Sequence, residues 1–290
     1  MTKSPLRFLL IIVCVAFCIT ACKKDTTESP LRKIKSMTTT GNGQNERIEF
    51  IYDGENLSEV KRIIFGKLQH IFRYSYDGTR PKQVLHYFYD QNPAQERLRA
   101  TINFSYSGDK LATFEALPTN EYTGALTSTY TLTSRGTSIP EMKVLIPGSE
   151  PRKIPEVVYS SANGGGTWTP PDGTPDPVFT FEDLMARTVY DDKRNPLRGL
   201  PLLSSTYLEK PQPNFPGTNY FATPFYVFDL EAYFLENNKI HFASYLDTQG
   251  NPVNVINVTY TYDVQGYPTK SVRKVVGFND TGVETVYEYW

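Results

Sequence analysis

Three histidines, two pairs of adjacent carboxylates, a glycine triplet and three cysteines are the residues whose types and spacing could carry chemistry. His70 and His86 are too far apart in sequence to form a His-x-His or His-x-x-x-His pair, and His241 is remote from both. A zinc site would therefore have to assemble from distant partners. On period-two strands these histidines read as strand-surface side chains rather than ligands. Glu182/Asp183 and Asp191/Asp192 are of the type a glycosidase uses, but such an enzyme needs two carboxyls roughly 5 to 9.5 Å apart across a cleft. Neighbours along a strand point to opposite faces, so neither pair meets that need by itself. Gly164-Gly165-Gly166-Thr167 lacks the lysine and the strand-to-helix setting of a phosphate loop and reads as a flexible linker. No Gly-x-Ser-x-Gly nucleophile elbow occurs. Asp53, Asp77 and Asp263 recur at turn starts, which turn chemistry explains without calcium or acid catalysis. No metal and no cofactor is expected, and catalysis ranks below binding.

Cys22 is the residue with the most specific context. Lys3 and Arg7 precede an apolar run from Phe8 to Ile19, which closes on Ile19-Thr20-Ala21-Cys22. A cationic start, a short apolar stretch and small residues at its end make a secretory signal. Its last residues resemble the lipobox of bacterial lipoproteins, which implies cleavage before Cys22 and acyl chains on its sulfur and freed amine. Two or more chains give stable attachment, whereas one alone is marginal. An uncleaved transmembrane anchor fails on length, because Phe8–Ile19 falls well short of the roughly 20 residues a hydrocarbon core requires.

This divides the chain into a signal peptide over residues 1–21, a lipid anchor and tether over 22–33, and a folded domain over 34–290. Asp25-Thr26-Thr27 in the tether resembles an O-glycosylation acceptor, with Thr26 as its site, and Lys23-Lys24-Asp25 partly matches a surface-export signal. Cys14 and Cys18 leave with the signal and Cys22 carries lipid, so the domain has no thiol for a disulfide, a metal or a nucleophile. Its own core must hold it together, and a chain of this length buries enough surface to do so. Loss of Lys3 and Arg7 moves the net charge further negative from −1, which excludes a nucleic-acid partner.

The domain carries an internal repeat. Ile48-Glu49-Phe50-Ile51-Tyr52-Asp53-Gly54, Phe72-Arg73-Tyr74-Ser75-Tyr76-Asp77-Gly78 and Ile102-Asn103-Phe104-Ser105-Tyr106-Ser107-Gly108 align on their closing tyrosines. A late copy, Val258 to Asp263, displaces its glycine to Gly266, and Thr127 to Leu132 is a degenerate copy around Tyr130. Alternation puts Phe50/Tyr52, Tyr74/Tyr76, Phe104/Tyr106 and Tyr260/Tyr262 on one face. Arg73, Ser75, Asn103, Ser105, Thr259 and Thr261 fall on the other. A strand with one wet side implies antiparallel pairing, and Asp-Gly or Ser-Gly supplies the reversal. Returning strands open at Leu57/Val60, Val84, Leu111/Phe114 and Val272. The spacing of the tyrosines fits one hairpin per repeat and predicts a β-meander. Gly66-Lys67 is expected to join two hairpins, and an Asp90–Gln95 loop to lengthen the second interval.

Between Pro147 and Pro177 lie seven prolines and five glycines. So many breakers predict an excursion over about 147–178, with a short edge strand at Glu156–Tyr159. Phe181–Arg187 is the best helix candidate. Tyr190 to Pro196 reads as a strand end and turn rebuilt with proline, and strands resume from Phe225. The fold class is all-β: a curved antiparallel meander, open or partly closed, with one or two short helices.

At its Tyr-Asp turns the chain resembles YD-repeat proteins. With the lipobox and the Tyr190 to Pro196 element it is most similar to Bacteroidota lipoproteins of unknown function that carry a porin-like domain. The resemblance covers roughly Ile34 to Trp290 and departs most at Gly148–Phe179. It implies a meandering antiparallel sheet and lends no catalytic residues. It also places the chain at the outer membrane, on the periplasmic or the cell-surface side. The final strand ends on an aromatic, as strands of outer-membrane barrels do. Glu284 and Glu288 share the face of Trp290, however, where a barrel needs lipid-facing apolar residues.

Aromatics make 13% of the chain, and as good strand formers most belong to the buried face. Trp168, on the proline- and glycine-rich stretch, and Tyr220 and Phe221, after Pro211, Pro213 and Pro216, are the candidates for stacking on sugar rings. At Trp168 the core and the stacking readings both stand. The expected function is non-catalytic binding of a glycan or another envelope component by a protein held to membrane lipid through acylated Cys22. The alternative is a scaffold for an envelope protein, and an envelope hydrolase ranks third.

Overall fold

A computed structural model describes residues 32–119, 128–133, 141–145, 152–153, 187–207, 224–246, 251–277 and 281–290. Phe181–Ala186 and the predicted strand Glu156–Tyr159 lie outside these, as do the signal segment and the tether to residue 31.

The described strands are β1 (Ile34–Gly41), β2 (Gln44–Asp53), β3 (Asn56–Ile64), β4 (Lys67–Asp77), β5 (Arg80–Gln91), β6 (Ala94–Ser107), β7 (Lys110–Pro118), β8 (Ser128–Thr133), β9 (Glu141–Leu145) and β10 (Arg152–Lys153). They continue with β11 (Val189–Arg194), β12 (Leu203–Tyr207) and β13 (Pro224–Phe228), the short helix α1 (Leu230–Phe234), then β14 (Asn237–Leu246), β15 (Pro252–Tyr262), β16 (Pro268–Val275) and β17 (Val283–Tyr289). Fifteen strands form one sheet in the order β10-β9-β8-β7-β6-β5-β4-β3-β2-β1-β17-β16-β15-β14-β11, and every pairing in it is antiparallel. The fold class is the all-β meander expected from the repeats. Its two arms join where β1 pairs with β17, Met37 opposite Tyr287. The edges among the described residues are β10 and β11, which do not pair with each other.

The repeat has a common build. Asp53 pairs with Asn56, Asp77 with Arg80, and Ser107 with Lys110, so each reversal has two central residues beginning with Gly54, Gly78 or Gly108. These glycines have φ of 56°, 62° and 60°, the left-handed value that two-residue hairpins of this kind need first. Just past each turn one extra residue enters the returning strand: Ser58, Lys82, Ala112 and, in the late copy, Thr269. Such bulges bend and twist a sheet. The hydroxyls of Ser58 and Thr269 donate to the carbonyls of Ile51 and Thr261, one residue before the closing tyrosine in each case. Tyrosines then link adjacent hairpins: Tyr106 Oη donates to Pro81 O and Tyr289 Oη to Pro268 O, both at 2.8 Å. Each proline stands opposite the tyrosine of its own hairpin, Tyr76 or Tyr262.

At the other end of the sheet two expectations are corrected. The reversal between β3 and β4 is Phe65-Gly66, with Ile64 opposite Lys67, rather than Gly66-Lys67. The stretch Asp90–Gln95 is not a loop: β5 and β6 pair up to Gln91 and Ala94, leaving only Asn92-Pro93 as the turn. The longer second interval comes from strand length, 12 and 14 residues. Phe65 is exposed and adopts φ 50°, where its Cβ crowds the following carbonyl. Phe65→Asn is therefore expected to raise stability by about 1 kcal/mol, read as a higher urea midpoint at unchanged m-value; a lower midpoint would mean that the phenyl ring makes a stabilising contact.

The core face follows the predicted alternation, with Phe50, Tyr74 and Phe104 buried and Tyr52, Tyr76 and Tyr106 packed against them. Arg73 and Asn103, half-buried, and Ser75, Ser105, Thr259 and Thr261, exposed, occupy the opposite face. Phe72, Phe114, Ile102 and Tyr130 complete the centre of the core, and Phe114 stacks on Tyr130 at 4.2 Å and 9°. Leu197, Leu200, Leu202 and Leu203, with Tyr233, Phe234 and Leu235 in and beside α1, pack onto this face. Backbone bonds tie the two segments together: Gly199 N to Tyr233 O at 3.1 Å and Asp229 N to Leu202 O at 3.0 Å. The Asp229 carboxylate caps α1 by accepting from Ala232 N at 2.8 Å.

Candidate functional site

The residues with chemical potential fall into two groups on the described sheet. The first is on the core face, toward the end that carries Phe65. His70 in β4 and His86 in β5 face inward, 9% and 2% exposed, with Nδ1 of the former 3.0 Å from Nε2 of the latter. This corrects the strand-surface expectation. The sequence signal was present in the period of two: His70 precedes Phe72 by two residues, and His86 lies between Val84 and Phe88 at the same spacing. His86 stacks on Phe72 at 4.5 Å and 8°, and Phe88 meets His70 edge-on at 5.7 Å.

Burial pushes His70 down to about 4, and Arg62 and Arg99 add to the shift. Burial, then His70, Arg99 and Arg62, push His86 well below its ordinary value. Both rings are therefore neutral near pH 7, and one nitrogen of the pair donates while the other accepts. Arg62 is bonded to Glu46 at 2.6 Å, and the Arg99 guanidinium lies 4.7 Å from the centre of the Phe88 ring. Among the described residues no group of three or more His, Cys, Asp or Glu side chains is placed to hold a metal ion. Two neutral imidazoles bonded to each other, with aromatic rings against them, act as a packed polar pair.

The second group centres on Asp191 in β11. Its carboxylate accepts from Lys193 N at 3.0 Å, Asn238 N at 3.1 Å, Asn238 Nδ2 and the Tyr262 hydroxyl. Burial pushes Tyr262 up, and its bond to Asp191 pushes it further. The neighbouring Asp192 is exposed and, among the described residues, pairs with Lys193 at 3.2 Å. As expected of adjacent strand residues, the two carboxyls do not work as a pair: Asp191 ties β11 to β14 and β15. Asp263 accepts from Gln265 N and Tyr267 N at 2.9 and 3.0 Å, the turn role expected of it. His241, exposed, bonds Asn257 at 2.6 Å.

The face opposite the core carries ion pairs. Arg47 bonds Glu49 and Glu288, and Arg73 bonds Glu59 and, through both terminal nitrogens, Glu96. Lys61 bonds Glu59, and Lys270 bonds Glu284. Glu284 and Glu288 thus share the Trp290 side of β17, as read from sequence. Cations at mid-strand would cost about 2–4 kcal/mol each against lipid.

The candidate binding residues Trp168, Tyr220 and Phe221 lie outside the described residues, as do Cys22 and Thr26. They belong to the chain between β10 and β11, to that between β12 and β13, and to the stretch before β1.

No family model matches the sequence. No curated protein matches it either. In fold the chain is similar to a porin-like protein from Bacteroides uniformis whose crystal structure is known, with a TM-score of 0.38 and 11% sequence identity over 90% of this chain and 99% of that one. At that score the likeness adds nothing to the reading of the site.

Proposed function

We propose that the chain is an outer-membrane lipoprotein of Bacteroidota type, held by acyl chains on Cys22, which binds a glycan or another envelope component without catalysing a reaction. The observation that carries this reading is how the sheet uses its own polar chemistry. The inward histidines bond each other, Asp191 accepts from Lys193, Asn238 and Tyr262, and the charges opposite the core pair among themselves. Aromatics and the segment from Leu197 to Leu203 pack on the core face. That leaves recognition to Trp168, Tyr220 and Phe221, aromatics of the type that stacks on a sugar ring. The ion pairs opposite the core support a protein tethered to the membrane over one that crosses it with these strands.

The test is native affinity electrophoresis of the full chain through gels containing different polysaccharides and peptidoglycan fragments. Retardation by one of them, relieved by Trp168→Ala with the far-UV spectrum unchanged, is the expected result. Free migration through all of them would leave the scaffold reading, in which the partner is an envelope protein. Cys22→Ala is expected to move the protein from the membrane to the soluble fraction.

A further inference from the structure

One end of the sheet exposes apolar side chains where the tether joins it. Trp290 is 67% exposed, and its backbone N–H donates to Lys33 O at 3.1 Å, beside the first strand. Val264, in the adjacent β15–β16 turn, is fully exposed. The two sites are fixed to each other, since Tyr289 Oη bonds Pro268 O and the Tyr267 and Tyr289 rings meet at 5.5 Å. The Lys35 ammonium stands 5.0 Å from the centre of the Trp290 ring.

We propose that this end, carrying Trp290, Val264 and Lys35, docks on the lipid surface to which Cys22 holds the chain. The proposal rests on the lipid-anchored reading above. The tether from Cys22 to Lys33 is short enough to reach at most about 40 Å. Tethering at that range gives the surface an effective concentration high enough for a weak contact to be occupied. Tryptophan favours the headgroup region of a bilayer, and a lysine beside it can keep its charge in water while its stem lies on apolar surface. Phe65 and Val276, also exposed, lie at the opposite end, a strand length of roughly 35 Å further from the junction.

The chain has two tryptophans, so Trp168→Phe leaves Trp290 as the only one. The full chain with that change, purified from host membranes, is reconstituted into phosphatidylethanolamine–phosphatidylglycerol vesicles with brominated acyl chains. Trp290 emission is expected to fall to about half of that in unbrominated vesicles, and Val264→Asp to restore most of it. Mass spectrometry of the same preparation reports acylation of Cys22 independently. Acylated protein that floats with the vesicles but is not quenched overturns the docking and leaves the anchor standing; unacylated protein overturns both. Emission that shifts instead with protein concentration in detergent would assign the patch to a second copy of the chain and likewise overturn the proposal.

Discussion

Phe114→Ala is expected to destabilise the domain by about 3–5 kcal/mol, the range for emptying a buried phenylalanine site. Phe114 is fully buried and stacks on Tyr130, itself fully buried, with Phe104 5.9 Å away across the β6–β7 pair. The ring therefore joins β6, β7 and β8 on the core face. Its removal loses the transferred area, the aromatic contact and part of the support for the strands beyond it. With no cysteine after Cys22, no disulfide can compensate. At roughly 2–4 °C per kcal/mol for a domain of this size, the melting temperature should fall by about 10 °C. Urea unfolding followed by far-UV circular dichroism measures this directly. A cost below about 1 kcal/mol would mean that β8 does not pack as described.

The parts of this fold that are local in sequence could be read from it. Phe50-x-Tyr52, Tyr74-x-Tyr76 and Phe104-x-Tyr106 each placed their pairs on the core face, and Asp-Gly or Ser-Gly placed the reversals. The repeat unit contains both the alternation and its punctuation within a few residues. The bulges at Ser58, Lys82, Ala112 and Thr269 were not read, because an extra residue in a returning strand changes the register without breaking the apolar pattern. The pairing of β1 with β17 joins residues more than 240 positions apart, and nothing local in Ile34–Gly41 specifies that partner. The leucines around Leu197–Leu203 were not recognised as core because they lie between prolines and a glycine, where no period shows. Of the site chemistry, the turn role of Asp263 was legible. The hub role of Asp191 was not, since its partners Asn238 and Tyr262 come from two other strands. The histidine pair was within reach: extending the period of two past Val84 puts His86 inward, where a buried ring needs a partner.

That pair makes the domain acid-sensitive in a defined window. Native His70 is held down to about 4 and native His86 well below its ordinary value, whereas in the unfolded chain each takes up a proton near pH 6.5. Between these values the unfolded state binds more protons than the native state, so stability rises with pH. The contribution is fully present above about pH 6.5 and is lost as the pH falls toward 4, amounting to about 3 kcal/mol for His70 alone. Among the described residues, two carboxylates give acid sensitivity of the other kind. Burial raises Glu59, but its bonds to Arg73 and Lys61 outweigh this, while the Ser36 hydroxyl and then Arg47 lower Glu288. Their contributions disappear only near and below the ordinary carboxylate range, so measurements from pH 7 to 5 separate the histidine contribution from theirs. The double variant His70→Phe/His86→Phe should flatten the stability profile over that interval. His86→Phe alone should cost about 1–3 kcal/mol at pH 7, because it leaves a buried Nδ1 of His70 without its partner. The double variant should lose less than the sum of the two single changes, since it removes both polar atoms together. Additive costs, or a slope that survives in the double variant, would show that the two rings do not form the buried pair and that other groups set the acid response.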